Sequence, residues 1–320
     1  MTEDAAHSPE PEVMLAVADR LIQAAQNNPK FAEANVSRML RQVPGKRSIL
    51  LGKLGARDAV FRVYHGDRQT ECERHWTELQ RIWPTMRDGH LRVNEPLACD
   101  VSSGVIAVAY VSGDPLLGVI TKAKTEVRLE WLHLAARWLN VYASKSKFRA
   151  EADTNLWVKR AVKASEKQAF ADLRRIEGQI SGELDRIAHL LRRQNWRYAI
   201  CHGDFHPNNL IAERSCLTGI DCGNSKHIPI YKDIARFLMH LGRRGVMISG
   251  ETYFGVDAKG FEIFSYEFGL NEQERELTLP FFLGVEALLR AETKGLPERR
   301  IKKARQMSRA LLDDLKNLKT

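Results

Sequence analysis

The sequence predicts a two-lobed α+β protein: a small antiparallel sheet with one packed helix, then a larger, mainly helical lobe. Three observations lead there. Short runs rich in β-branched residues crowd the first third, and amphipathic helical patterns dominate from Glu130 onward. A single apolar stretch, residues 105–111, joins the two and ends in Ser112-Gly113-Asp114-Pro115. On this reading residues 1–41 are an N-terminal tail and helical extension, 42–111 the strand-rich lobe, and 112–320 the helical lobe.

Taken in order, residues 1–12 are acidic and contain proline, which predicts a disordered tail. Met14, Val17, Ala18, Leu21, Ile22 and Ala25 recur at helical spacing, and a second short helix is expected over 34–40. Residues 48–54 and 59–64 flank Gly55-Ala56-Arg57-Asp58 and read as a hairpin, preceded by the turn Pro44-Gly45-Lys46-Arg47. A helix over 72–83 places Cys72, Trp76, Leu79 and Trp83 on one face, and Pro84 is expected to stop it. Strands are expected at 91–97 and 105–111, and helices at 130–144, 156–166 and 170–193. Small β elements at 198–201, 209–212 and 217–220 surround one tight loop, and residues 231–235 lead into another helix. Near the end Ile301, Ala304, Met307, Leu311, Leu315 and Leu318 mark a packed helix whose arginines and lysines form its solvated face.

Composition narrows the function classes. Cys72, Cys99, Cys201, Cys216 and Cys222 lack the paired spacing of a disulfide framework or a zinc knuckle, which fits the reducing cytoplasm. No apolar run is long enough to span a bilayer, so a membrane partner is not expected. The net charge of +9 and pI near 9.3 attract polyanions in general. No aromatic platform or recognition motif accompanies that charge, so nucleic acid is not the expected partner.

The chemistry concentrates in His202-Gly203-Asp204-Phe205-His206-Pro207-Asn208-Asn209 and in Gly219-Ile220-Asp221-Cys222-Gly223-Asn224. Attack of an alcohol on a γ-phosphate needs a proton acceptor, a divalent metal bridging the phosphates, and cations or amides on the phosphate oxygens. Asp204 suits the first task; Asn209 and Asp221, hard oxygen donors, suit Mg²⁺. The Gly45 turn can lay amides over phosphates with Arg47 or Lys46 adding charge, and Arg62 can act as a phosphate clamp.

These motifs resemble those of the aminoglycoside phosphotransferase and choline kinase-like family, whose fold is related to that of the protein kinases. The brackets His-Gly-Asp-x-x-x-x-Asn and Ile-Asp-x-Gly are matched at residues 202–209 and 220–223, and an Asp-Ile-Ala element at 233–235. The resemblance implies a kinase-like fold and a cytoplasmic phosphotransferase using Mg²⁺ and ATP, or GTP, on a small-molecule hydroxyl. It implies Asp204 as catalytic base, Asn209 and Asp221 as metal ligands, and Asp233 as a brace for the loop. Backbone groups of Ala109, Tyr110 and Val111 would read the adenine base. Where the family carries a lysine on the third strand this chain offers Arg62, with Glu73 the expected acidic partner. Asp233 follows Asp221 too closely for a long activation segment, which favours a small acceptor over a polypeptide.

His202-x-Asp204-x-His206 has transition-metal spacing, but a metallohydrolase leaves Asn209 and Asp221 unexplained. His202 is instead expected to hold the loop, and His206 to pack or line the acceptor site. Trp131, Trp138 and Tyr142 read as core, whereas Trp157 is a candidate for the acceptor pocket. Overall basicity favours a neutral or anionic acceptor such as a sugar derivative; the acid-rich stretch 251–276 favours a cationic one. Arg62 also keeps open a nucleotide-binding pseudokinase or scaffold without catalysis.

Overall fold

The computed structural model describes residues 11–318, so the tail expected over residues 1–10 lies outside the described residues. Pro11 and Glu12, assigned above to that tail, open a helix, α1 (Pro11–Asn27). The described residues form two compact units: 11–113 with Thr218–Asn224, and Asp114–Leu217 with 225–318.

In the first unit α1 is followed by β1 (Ala34–Val43), β2 (Arg47–Leu54), β3 (Arg57–Tyr64), α2 (Gln69–Met86), β4 (Leu91–Val93), β5 (Pro96–Asp100) and β6 (Val105–Ala109). Five of these strands make one antiparallel sheet in the order β1-β2-β3-β6-β5. Its core gathers Leu50, Phe61, Val63, Val105 and Ala107 with Val17 and Ala24 of α1. Arg20 ties α1 to the sheet by donating to the carbonyls of Ser103 (2.9 Å) and Gly66 (3.1 Å).

Two expectations fail here for identifiable reasons. Residues 34–40 are not helical; they form the edge strand β1. Register shifts at Val36/Arg38 and Met39/Arg41 break the alternation, so Val36 and Met39, both packed on the core, fall three apart and mimic a helical period. Pro84 does not end α2, which continues to Met86. The lost hydrogen bond falls in the last turn, and burial of Met86 offsets its absence.

The second unit begins with β7 (Asp114–Pro115), α3 (Leu116–Lys122), α4 (Thr125–Ala143), β8 (Phe148–Glu151), α5 (Thr154–Ser165) and α6 (Ala171–Leu190). Next come β9 (Asn195–Cys201), β10 (Leu210–Glu213), β11 (Cys216–Gly219, its last two residues counted in the first unit), β12 (Lys226–Pro229) and α7 (Ile230–Gly242). The short strands β13 (Thr252–Tyr253) and β14 (Val256–Asp257) precede α8 (Ala258–Glu267), α9 (Leu279–Leu289) and α10 (Glu298–Lys316). Every residue of α7 is buried, and α9 is buried from Leu279 to Leu288, which makes this pair the centre of the unit. Charged residues inside such a helix must find partners, and Lys232, Asp233 and Arg236 of α7 do. The basic C-terminal helix is as expected, with Ile301, Ala304, Met307, Leu311 and Leu315 buried.

Candidate active site

In the second unit the loop after β9 is built around an aromatic stack. Trp138 of α4 lies parallel to Phe205 (5.6 Å between ring centroids, 9°), and Phe205 stacks on Phe237 of α7 at 5.1 Å. His202 packs edge-on to Trp138 at 6.0 Å and is fully buried, in keeping with a loop-holding role. With both flanks fixed, the chain reverses at Gly203, whose φ of 80° is a conformation that disfavours any residue with a Cβ. The Gly203 amide donates to Asp233 Oδ2 at 2.8 Å, and its carbonyl accepts from Lys232 Nζ at 2.7 Å. Asn209 Nδ2 donates to the Asp204 carbonyl at 3.0 Å, which leaves the amide oxygen as its acceptor group.

Asp204 itself is surrounded by cations. Its Oδ1 accepts from Arg236 Nε and Arg290 Nη2, both at 3.0 Å, and its Oδ2 lies 3.6 Å from His206 Nε2. Burial works to raise this carboxyl, but the hydrogen bond from His206 and the charges of Arg236, His206 and Arg290 overcome it, holding the group well below the usual carboxylate range. Asp204 is therefore an anion with a fixed orientation at neutral pH. It can accept a hydrogen bond from an incoming hydroxyl.

In the first unit Asp221 takes the left-handed backbone region, φ 64°, which is rare for a residue other than glycine and recurs at functional sites. Its Oδ1 accepts from Arg62 Nη1 at 2.5 Å, and its Oδ2 lies 3.5 Å from Arg47 Nη2. Burial again opposes ionisation, and Arg62, Arg47 and His75 outweigh it, so the carboxyl is held well below its ordinary value. Gly223 sits against His75: a Cβ there would lie 2.9 Å from the imidazole Cγ. Gly223→Ala is expected to lower stability by about 1–3 kcal/mol through overpacking, read as a lower urea midpoint with unchanged m-value.

Several expectations need correction. Glu73 does not pair with Arg62: it lies on the exposed side of α2, because the buried face is Cys72, His75, Glu78, Leu79, Ile82 and Met86, with Glu78 bound by Arg81 at 2.7 Å, and Arg62 meets Asp221 instead. Trp157 is core, with its ring edge-on to Phe282 at 5.3 Å, since the inner face of α5 turns it onto α9. At the expected base-reading strand, the amides of Ala109 and Tyr110 donate to the carbonyls of Glu95 (2.8 Å) and Asp58 (3.0 Å), so these two amides are engaged within the unit. Gly45 turns β1 into β2 at φ 64°, and its carbonyl accepts from Arg68 Nε at 3.3 Å. Trp131, Trp138 and Tyr142 are core, as expected.

Family comparison adds the decisive point. A model of the phosphotransferase enzyme family matches residues 45–262, which include both the Asp204 loop and the Asp221 segment. The chain belongs to the phosphotransferase enzyme family. Membership sets it among enzymes that move a phosphoryl group. No curated protein matches it. Among solved structures it is similar to amicoumacin kinase hAmiN in complex with AMP-PNP, Ca²⁺ and Ami, at 12% identity and TM-score 0.57, over 94% of this chain and 95% of that one. It is also similar to the choline kinase LicA from Streptococcus pneumoniae (13% identity, TM-score 0.54, 94% and 99% covered). A microcompartment-associated aminopropanol kinase aligns at 15% identity and TM-score 0.57, over 94% and 96%. At these identities the likeness establishes the fold, which is kinase-like as the sequence implies.

Sequence reasoning missed Lys232, Arg236 and Arg290. Lys232 and Arg236 flank Asp233 on one helix, and a charged residue three positions after a buried aspartate was a usable signal. Arg290 follows an almost wholly apolar helix and carries no motif; only folding brings it to Asp204.

Proposed function

We propose that this chain transfers the γ-phosphoryl group of ATP, or of GTP, to a hydroxyl group of a small molecule, with Mg²⁺, in the cytoplasm. The observation that carries this reading is Asp204: an ionised carboxylate on a loop fixed by Asn209, Gly203 and Asp233, inside the segment matched by the family. In this reading Asp204 accepts the proton of the acceptor hydroxyl as its oxygen attacks the γ-phosphorus. The bond from that phosphorus to the bridging oxygen breaks, and the nucleoside diphosphate leaves. Arg47 and Arg62 supply positive charge for the phosphates, and Val111 is the remaining backbone donor of the base-reading strand.

Among the described residues no three His, Cys, Asp or Glu side chains gather as a ready metal cage. Mg²⁺ is typically held by one or two protein oxygens together with substrate phosphates. Asp221, kept ionised, and the Asn209 amide oxygen are the donors that fit it. When bound, the ion supplies charge neutralisation to the phosphates. AMP-PNP and Ca²⁺ in the complex of the similar amicoumacin kinase support a nucleotide with a divalent ion. The five free cysteines support the cytoplasm, and no helix among the described residues is long and apolar enough to cross a membrane.

A screen of hydroxyl compounds with labelled ATP tests the proposal. Transfer is expected to vanish with EDTA and return with added Mg²⁺; transfer undiminished by EDTA excludes the metal. The second reading, a nucleotide-binding pseudokinase, rests on Arg62 and Arg47 covering the Asp221 carboxylate. It predicts heat protection by Mg²⁺-ATP with no transfer and no hydrolysis across the whole screen.

A further inference from the structure

The surroundings of Asp204 are far more basic than one general base requires. On α7 and just beyond it Arg236, His240 and Arg244 follow one another at four-residue spacing, so all three lie on one face. His240 stacks on His206 at 4.7 Å and 16°, and Arg244 Nη1 donates to the His240 carbonyl at 3.0 Å. Arg290 reaches in from the end of α9, and Arg300 arrives from α10 with its Nη1 buried and without a protein acceptor.

Nearby carboxylates face other cations, with both oxygens of Glu286 buried and outside any hydrogen bond. Glu292 lies 2.7 Å from Arg243 and 3.7 Å from Arg300, and Glu286 lies 3.6 Å from Lys232. Among the described residues Arg236 and Arg290 share Asp204 as their one carboxylate within 4 Å, and Arg244 has none. Burial, then the neighbouring charges of Arg300 and Arg236, push the Arg244 guanidinium down to about 10, so it is a cation crowded by cations. His240 is held neutral by burial and by Arg244, His206, Arg236 and Arg300.

The acid-rich stretch does not answer this charge. Asp257 caps α8, accepting from the Gly260 amide at 2.9 Å and, through its other oxygen, from Ser249 N and Oγ. Glu274 is bound by Arg197 and by Tyr231 Oη, Glu262 by Lys259, and the backbone carbonyl of Glu267 accepts from Asn140. Partly buried, incompletely paired guanidinium groups cost free energy that an anion removes, and arginine clusters favour carboxylate and phosphate geometry.

Resting on the phosphotransferase reading, we propose that the alcohol taken at Asp204 carries its own anionic group, a carboxylate or a phosphate, held by Arg290, Arg244 and Arg300. Overall charge leaves a neutral acceptor open; this cluster does not. The terminal nitrogens of Arg290 would divide between the Asp204 carboxylate and the acceptor anion, which sets the hydroxyl and the anionic group of the acceptor a short carbon chain apart.

Heat protection of the full chain, in Mg²⁺ and AMP-PNP, tests this with four probes: D-glycerate, glycerol 3-phosphate, glycerol and ethanolamine. At least one anion is expected to protect at a concentration ten times or more below that of glycerol or ethanolamine, and the two anions compared separate carboxylate from phosphate recognition. Arg290→Gln and Arg244→Gln should each raise that concentration about ten- to hundredfold, the loss of one charge-assisted contact, while protection by AMP-PNP alone stands. Arg290 is half-exposed, and its substitution leaves the core intact. Equal protection by ethanolamine or glycerol, no protection by either anion, or an anion response untouched in both variants overturns the proposal. Absence of AMP-PNP protection in the unmodified chain counts instead against the phosphotransferase reading.

Discussion

Replacing Asp204 by asparagine is expected to lower kcat about 10²–10⁴-fold, the usual range for removing a general base, with nucleotide affinity little changed. The amide keeps the shape of the side chain but cannot take the hydroxyl proton. Arg236 and Arg290, both on Oδ1, then face a neutral group, so the acceptor site becomes more cationic while the loop keeps its bonds from Asn209 to the Asp204 carbonyl and from the Gly203 amide to Asp233. Single-turnover transfer measured beside heat protection by Mg²⁺-ATP separates chemistry from binding. Undiminished turnover removes Asp204 from the mechanism. The same variant has a signature in stability. A carboxyl whose folded pKa is depressed contributes stability that is present above its unfolded value and lost as pH falls through the folded value. Asp204 is such a group. The gap in stability between the native chain and Asp204→Asn should therefore be full at neutral pH and narrow steadily under strong acid.

How far the sequence could be read depends on the kind of interaction. The loop was readable as a motif, whereas Asp233 was reachable only through the family resemblance, because the carboxylate that receives the Gly203 amide comes from a distant helix. The hairpin of β2 and β3 was legible from alternation, and the basic helix α10 from its period. β1 was not, because two bulges shift its apolar residues into a helix-like spacing. Glu73 was misplaced for a related reason. Two apolar neighbours, Cys72 and Trp76, do not fix a helix face, and the true inner face of α2, through Cys72, His75 and Ile82, is set by what packs on it. The basic cluster at Asp204 was the least legible part. Its members come from residues 236, 244, 290 and 300, on separate helix ends, and only burial of α7 and α9 brings them together.

Asp233→Ala is expected to destabilise the protein by about 3–5 kcal/mol, the range for removing one partner of a buried ion pair. Asp233 is fully buried, takes the Gly203 amide at 2.8 Å, and lies 3.4 Å from Lys232 Nζ, which itself holds the Gly203 carbonyl. Burial alone would lower the Lys232 ammonium, but Glu286 and Asp233 raise it, so the ion is charged because of those two carboxylates. Without Asp233 only Glu286 remains within 4 Å, at 3.6 Å, and the half-buried Gly203 amide is left without its protein acceptor. Asp233→Asn separates the two losses: the amide oxygen can still receive Gly203, while the charge facing Lys232 is gone. If charge pairing dominates, Lys232→Met in the Asp233→Asn background restores much of the lost urea midpoint, since an uncompensated buried ammonium has been removed. If the Gly203 bond dominates, Asp233→Asn alone stays near the native midpoint and Lys232→Met worsens it by freeing the Gly203 carbonyl. In either case Asp233→Ala should lower kcat as well as stability, because the amide it releases belongs to the residue that aims Asp204. Full turnover in a folded Asp233→Ala variant would show that the aromatic stack and the Asn209 bond aim Asp204 without the Gly203–Asp233 contact.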